Sequence, residues 1–152
     1  MKIAILSLGG MGAISLSKII AQIAINSKLS VKSTEIHGMA KKGGLVEIHM
    51  KIDEVDLSPF ISKNEADFII LFDAMYKDYA LYFGNNIIGL TENDKNYVIS
   101  KFKDIKFANS FLLGRFIGAQ SIFTKNDALK ILENFKNKDE NIMALEDGFN
   151  DI

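Results

Sequence analysis

The residue types here that could do chemistry gather in two glycine-containing stretches. Between residues 33 and 49 the chain reads STEIHGMAKKGGLVEIH, bringing Glu35, His37, Gly38, Lys41, Lys42, Gly43 and Gly44 close together. Paired lysines beside two glycines suit a phosphate, because the ammonium groups supply charged hydrogen bonds worth about 1.5–3 kcal/mol each and the glycines admit the ligand to the backbone. Paired lysines are equally the ordinary mark of a solvated loop, and composition leaves both readings standing. The second stretch is Ser7-Leu8-Gly9-Gly10-Met11-Gly12. It matches the dinucleotide-binding fingerprint at its second and third glycines and carries Ser7 at the first. Backbone N–H groups at the start of a following helix would face an anion there, with Glu35 placed as the acid for a ribose. A tight turn with no ligand satisfies the same residues.

Little else assembles into a reaction. His37 lies in the loop, as a hydrogen-bonded structural residue or a ligand contact. His49 falls within strand alternation and reads as a surface or interface residue. Asp73 and Asn109 stand at strand ends and read as helix N-caps. With no activated nucleophile, carboxylate pair or metal-ligand spacing in view, the chain reads as a binding module without catalytic or metal-binding residues of its own.

The elements that must hold these loops follow from periodicity. Residues 2–8 (KIAILSL) form a nearly unbroken apolar run, the pattern of a central parallel strand covered on both faces. A glycine turn and a helix to about residue 27 follow, with Leu16, Ile19, Ile20 and Ile23 at helical spacing. Residues 31–35 are a second strand, which completes a βαβ unit, and residues 36–44 are the loop. Residues 45–52 alternate, with Val46, Ile48, Met50 and Ile52 on one face. Glu47, His49, Lys51 and Asp53 form the other, expected to be wet or against a partner. Residues 53–65 read as a turn with a short helix, 67–72 as a buried strand and 74–83 as a helix capped by Asp73. A strand at 86–90, a helix at 94–103 and a strand at 105–108 lead to Asn109. Helices follow at 110–120, from the Thr124/Asp127 capping box to 136, and at 140–147, closed by Gly148. The class is α/β: a three-layer Rossmann-like sheet with helices on both faces, in a single domain spanning residues 1–152.

Composition narrows the function. A net charge of −1 argues against bulk nucleic-acid or acidic-membrane binding. The chain has no cysteine, which removes thiol nucleophiles, disulfides and thiolate-held zinc or iron–sulfur centres. The short apolar run at the start meets glycines too early for a signal peptide, and no window is long enough to span a membrane. A cytoplasmic location is the expectation.

Beyond these readings, the motifs resemble the gamma subunit of the 2-oxoacid:ferredoxin oxidoreductases, of the pyruvate, ketoisovalerate and indolepyruvate group, nearest the indolepyruvate type. That family shows G-x-G-G-Q-G after its first strand, then a segment close to S-E-x-H-G-M-A-Q-R-G-G-S-V. The counterparts here are residues 7–12 and 34–46, and the E-I-H-G-M-A stretch is the most specific. Residues 66–70 (ADFII), residues 109–114 (NSFLLG), and Asn141, Ala144 and Gly148 extend the likeness across nearly the whole chain. The departures are Ser7 for glycine, Met11 and Lys41 for glutamine, Lys42 for arginine and Leu45 for serine. Lysine at 42 keeps the charge but not the bidentate fork.

The resemblance implies a subunit of a complex that oxidatively decarboxylates a 2-oxoacid and passes the acyl group to coenzyme A. Thiamine diphosphate and iron–sulfur clusters would sit on partner subunits, with ferredoxin as electron acceptor. This chain would contribute coenzyme A docking and subunit contacts. The implied contacts are Gly9, Gly10, Met11, Gly12, Glu35, His37, Gly38, Lys41, Lys42, Gly43, Gly44 and Asn109. The alternatives are a stand-alone nucleotide-binding protein, with Glu35 on a ribose, and a catalytically silent structural paralogue.

Overall fold

The computed structural model describes residues 1–38 and 43–151. Its frame is a five-stranded sheet in the order β2-β3-β1-β4-β5. The strands are β1 (Lys2–Leu8), β2 (Val31–His37), β3 (Leu45–Ile52), β4 (Phe68–Leu71) and β5 (Ile87–Gly89). The unbroken apolar run makes β1 central: Ile3 and Ile5 enter the core on one face while Ala4 and Leu6 enter the core on the other. β1 is parallel to β4, and β4 to β5, but β3 lies antiparallel to both β1 and β2. The expected βαβ unit is therefore split. β2 still runs parallel to β1, with β3 inserted between them.

The helices are α1 (Ala13–Asn26), α2 (Lys77–Phe83), α3 (Glu92–Phe102), α4 (Ala108–Ala119), α5 (Lys125–Leu132) and α6 (Lys138–Asn150). All but α2 contribute to the larger core. Leu16, Ile19, Ile20 and Ile23 of α1 are buried in it, as their spacing requires. The opposite face is covered by α2 and residues 53–66, with Ile61, Ala80 and Phe83 at its centre. The three-layer α/β reading thus holds. Among the described residues, no helix is long and apolar enough to cross a membrane.

Several local expectations are corrected. The polar face of β3 is neither wet nor against a partner, because residues 53–65 fold over it without forming a helix. Glu47, His49 and Lys51 are only 6%, 3% and 1% exposed. His49 is accordingly an interior residue. Its Nδ1 accepts a hydrogen bond from the Ile61 amide at 3.0 Å, and Lys51 Nζ reaches Asp56 at 2.6 Å.

Residues 105–108 are not a strand. Asp104 accepts from the Lys106 amide and starts a 3₁₀ turn (Ile105–Phe107) that runs directly into α4. Asn109 therefore lies inside α4 rather than capping it; Phe107 is the N-cap. Helix α3 begins at Glu92 because Thr91 and Asp94 form a capping box that the sequence reading passed over. Helix α5 stops at Leu132.

Gly148 does not end α6. A Cβ there would lie 1.9 Å from the carbonyl oxygen of Phe111, and one on Gly114 would lie 2.0 Å from that of Leu145. The two glycines let α4 and α6 cross backbone to backbone. Buried Ser110 adds a hydrogen bond across the crossing, donating to Asn141 Oδ1 at 2.7 Å.

Candidate functional site

The two glycine stretches meet. The Gly9 amide donates to the Gly44 carbonyl at 2.9 Å, which ties the turn after β1 to the end of the loop between β2 and β3. The antiparallel setting of β3 causes this, because it starts β3 beside the end of β1, with Leu8 opposite Leu45. Gly38 continues the hairpin, its amide donating to the Leu45 carbonyl at 2.8 Å. Gly10 and Gly12 take φ values of 90° and 93°, and Gly43 one of 69°, the left-handed region that suits glycine. Lys41 and Lys42 lie outside the described residues, between Gly38 and Gly43.

Gly12 is the N-cap of α1 and offers no capping side chain, and no acidic residue occupies the first turn. The amides of that turn thus face outward without side-chain partners, and the helix dipole adds partial positive charge. A cavity of about 240 Å³ opens here, lined by Leu8, Gly10, Gly12, Ala13, Ser15 and Val46. Met11 is half-buried against the larger core.

Asn109 reaches this turn from α4. Its Nδ2 would stand 3.3 Å from a Cβ on Gly12. The orientation is fixed from the other side, where Asn109 Oδ1 accepts from the Ser110 amide at 2.7 Å. Gly9, Gly10, Gly12, Gly43, Gly44 and Asn109 therefore form one neighbourhood, with an amide donor beside a bare helix N-terminus. That arrangement can hold an anionic oxygen.

Glu35 and His37 lie on β2, with β3 between them and the glycine turn. Both are exposed on β2, with Glu35 Oε2 3.4 Å from His37 Nε2. Glu35 lines a separate groove of about 450 Å³ with Ser17, Lys18 and Ala21 of α1. With β3 interposed, Glu35 sits one strand farther from the glycine turn than an acid on an adjacent parallel strand would. A larger cavity, about 600 Å³, lies at the far end of the sheet between Met1, Asp67 and Gln120. It has no glycine turn or helix N-terminus, so the smaller cavity is the candidate site.

The sequence reading missed a buried polar row behind the sheet. Glu47 Oε2 accepts from the Tyr79 hydroxyl at 2.7 Å. Its Oε1 lies 2.7 Å from His49 Nε2, off the line of a directed hydrogen bond. Burial alone would raise the Glu47 carboxyl, but the contacts with His49 and Tyr79 outweigh it and hold the group below its ordinary value. Burial and the Glu47 carboxylate push Tyr79 up to about 12. The signal was present in the polar alternation of β3, but nothing local showed what would cover it. Asp73 behaves as expected, accepting from the Met75 amide at 3.0 Å. Although burial acts to raise it, Lys95 at 2.6 Å keeps its carboxyl low.

Among the described residues, no group of three His, Cys, Asp or Glu could hold a metal. With no cysteine in the chain, the donor set does not fit an iron–sulfur cluster.

Comparison with known proteins bears on the family and the fold. The chain is 35% identical over 96 residues to indolepyruvate oxidoreductase subunit IorB of Archaeoglobus fulgidus, covering 62% of this chain and 47% of that protein. The IorB subunit of Methanothermobacter thermautotrophicus is 40% identical over 67 residues, 44% of this chain and 34% of that protein. The matched stretch thus spans half or less of these relatives.

Solved structures share the fold at low identity. Pyruvate oxidoreductase subunit PORC of Thermotoga maritima has a TM-score of 0.75 at 17% identity, covering 99% of this chain and 95% of that one. The gamma subunit of a keto/oxoacid ferredoxin oxidoreductase from Geobacter sulfurreducens PCA has 0.75 at 19%, covering 98% and 96%. The 2-oxoglutarate:ferredoxin oxidoreductase of Magnetococcus marinus, solved with 2-oxoglutarate, coenzyme A and succinyl-CoA bound, has 0.75 at 14%, covering 99% of this chain and 30% of that one. The family model for pyruvate ferredoxin/flavodoxin oxidoreductase matches residues 2–150, and the chain belongs to that family.

Proposed function

We propose that this chain is the gamma component of a 2-oxoacid:ferredoxin oxidoreductase of the indolepyruvate type, and that it docks coenzyme A. The observation that carries the reading is the junction of the glycine turn with Gly43-Gly44, beside the uncapped N-terminus of α1 and the Asn109 amide. Phosphate oxygens are the part of coenzyme A that such a junction would recognise, with Lys41 and Lys42 supplying charge from the adjoining loop. The chemistry would lie elsewhere in the complex. Thiamine diphosphate and iron–sulfur clusters belong on partner subunits, with ferredoxin as acceptor, which agrees with a chain that has no cysteine. This chain would bind and orient the acyl acceptor and contact those subunits.

The test is calorimetric titration of the purified chain with coenzyme A, with NAD as the parallel ligand. Coenzyme A should bind saturably. Lys42→Glu, which replaces attraction with repulsion at a phosphate, should weaken binding by about tenfold or more. Asn109→Asp should act in the same direction, since it exchanges a donor for a carboxylate of the same shape. An unchanged dissociation constant for Lys42→Glu refutes the assignment. Binding of NAD alone would transfer the site to a stand-alone nucleotide-binding protein.

A further inference from the structure

The five-stranded sheet has two edges of very different character. β5 is three residues long, too short to template much pairing. β2 is seven residues long, pairs one-to-one with β3 along its whole length without a bulge, and contains no proline. Exposed edges of this kind are normally blunted by a bulge, a proline or an outward lysine. The one lysine on β2 is turned away from that role, because Lys32 Nζ donates to the carbonyls of Glu54 and Asp56 over the adjacent face of the sheet.

The phase of the ladder shows which groups the edge presents. The Gly38 amide bonds to the Leu45 carbonyl and the Asp53 amide to the Ser30 carbonyl. In an antiparallel pair, hydrogen-bonded positions recur every second residue, so Lys32, Thr34 and Ile36 direct their amides and carbonyls at β3. Val31, Ser33, Glu35 and His37 direct theirs outward. Among the described residues, none of those outward groups has a hydrogen-bond partner.

We propose that this edge pairs antiparallel with β2 of a second copy of the chain, about a two-fold axis at Thr34, joining the two sheets into one. The register follows from the sequence of the edge. A two-fold axis normal to the sheet places residues of the same face opposite one another. With the axis at Thr34, Val31 meets His37 and Ser33 meets Glu35 of the second copy, so all four outward residues bond. Moving the axis to Ser33 or Glu35 leaves outward groups unused, and at Glu35 it also sets two carboxylates face to face.

The side chains suit the Thr34 register. Thr34 meets itself as a close pair, and the Ser33 hydroxyl faces the Glu35 carboxylate of the other copy. Lys32 faces Ile36, so no like charges stand directly opposite. Lys18 lines the groove beside Ser33 and Glu35 and offsets the acidic charge gathered there. A strand from an unrelated partner would need none of this self-complementarity.

Sedimentation equilibrium of the full chain, with amide hydrogen exchange on the same samples, tests the proposal. The chain should self-associate to a dimer. Protection of the Val31, Ser33, Glu35 and His37 amides should rise with concentration, while Lys32, Thr34 and Ile36 stay unchanged. Ser33 is exposed, so its variants leave the core intact. Ser33→Glu, opposite Glu35, should weaken the dimer about tenfold across the two symmetric pairs, and Ser33→Lys should tighten it several-fold. A chain that stays monomeric at every soluble concentration overturns the proposal, as does a dimer whose constant is the same in both variants. A dimer without protection at the four outward amides also overturns it.

Discussion

Replacing Gly148 with alanine is a substitution whose sign separates two views of α6. In an ordinary helix interior the change favours folding by about 1 kcal/mol, because alanine restricts the unfolded chain and suits the helix. Here the added Cβ would fall 1.9 Å from the Phe111 carbonyl oxygen and 2.8 Å from its carbon. Both are backbone atoms, so no rotamer change relieves the clash. Helices α4 and α6 would have to separate by about 1 Å before the contact reached the 3.0 Å limit that real Cβ atoms respect. Overpacking of this kind costs about 3 kcal/mol, which leaves a net loss of about 2 kcal/mol after the helical gain. For a chain of this size the melting temperature should fall by about 6 °C. Urea unfolding followed by far-ultraviolet circular dichroism measures it directly. Gly114→Ala should behave alike, and the double variant should lose less than the two together, since one separation relieves both clashes. A midpoint for Gly148→Ala equal to or above that of the parent refutes the backbone-to-backbone crossing.

Two further outcomes follow from the layer over β3. Glu47 is held below its ordinary carboxyl value, so its stabilising contribution is complete above the unfolded value and disappears as pH falls through the folded one. Tyr79→Phe removes one of the contacts that lower it, so the acid-induced loss should start at the same pH, be complete at a higher pH and be smaller. Superimposable profiles of melting temperature against pH would show that this hydrogen bond does not matter. Lys51→Met keeps the buried stem but frees Asp56. Cleavage within residues 54–58 by a non-specific protease should accelerate, while global stability stays within about 1 kcal/mol of the parent. Equal cleavage rates would mean that the ion pair does not hold this segment down.

Local signals carried the parts of the fold whose cause is local. The run in residues 2–8, the glycines after it and the spacing of Leu16, Ile19, Ile20 and Ile23 specify β1, its turn and α1 without reference to anything distant. The Thr124/Asp127 box did the same for α5. What the sequence could not supply was partnership. Nothing in residues 45–52 says that they enter between β1 and β2, and nothing in Glu47, His49 and Lys51 says that a later segment will cover them. Gly148 looks like a helix terminator until Phe111 is found against it. Residues 105–108 have the apolar content of a strand, but Asp104 caps a turn there first. The two glycine stretches were legible as residues, but the hydrogen bond that joins them rests on the antiparallel entry of β3. The detachment of Glu35 from them was hidden, because it depends on the strand inserted between.

The antiparallel entry of β3 also affects how this fold can change over time. In an all-parallel sheet, a loop arriving beside the turn after β1 is tied to a crossover helix, and altering its length disturbs how that helix packs. Here the neighbouring loop closes a hairpin, and lengthening such a loop adds little entropic cost. Residues between Gly38 and Gly43 can thus be exchanged, extended or recharged while the Gly9–Gly44 hydrogen bond and every helix stay in place. Loop sequence and scaffold stability are thereby separable traits, able to diversify at different rates within one architecture.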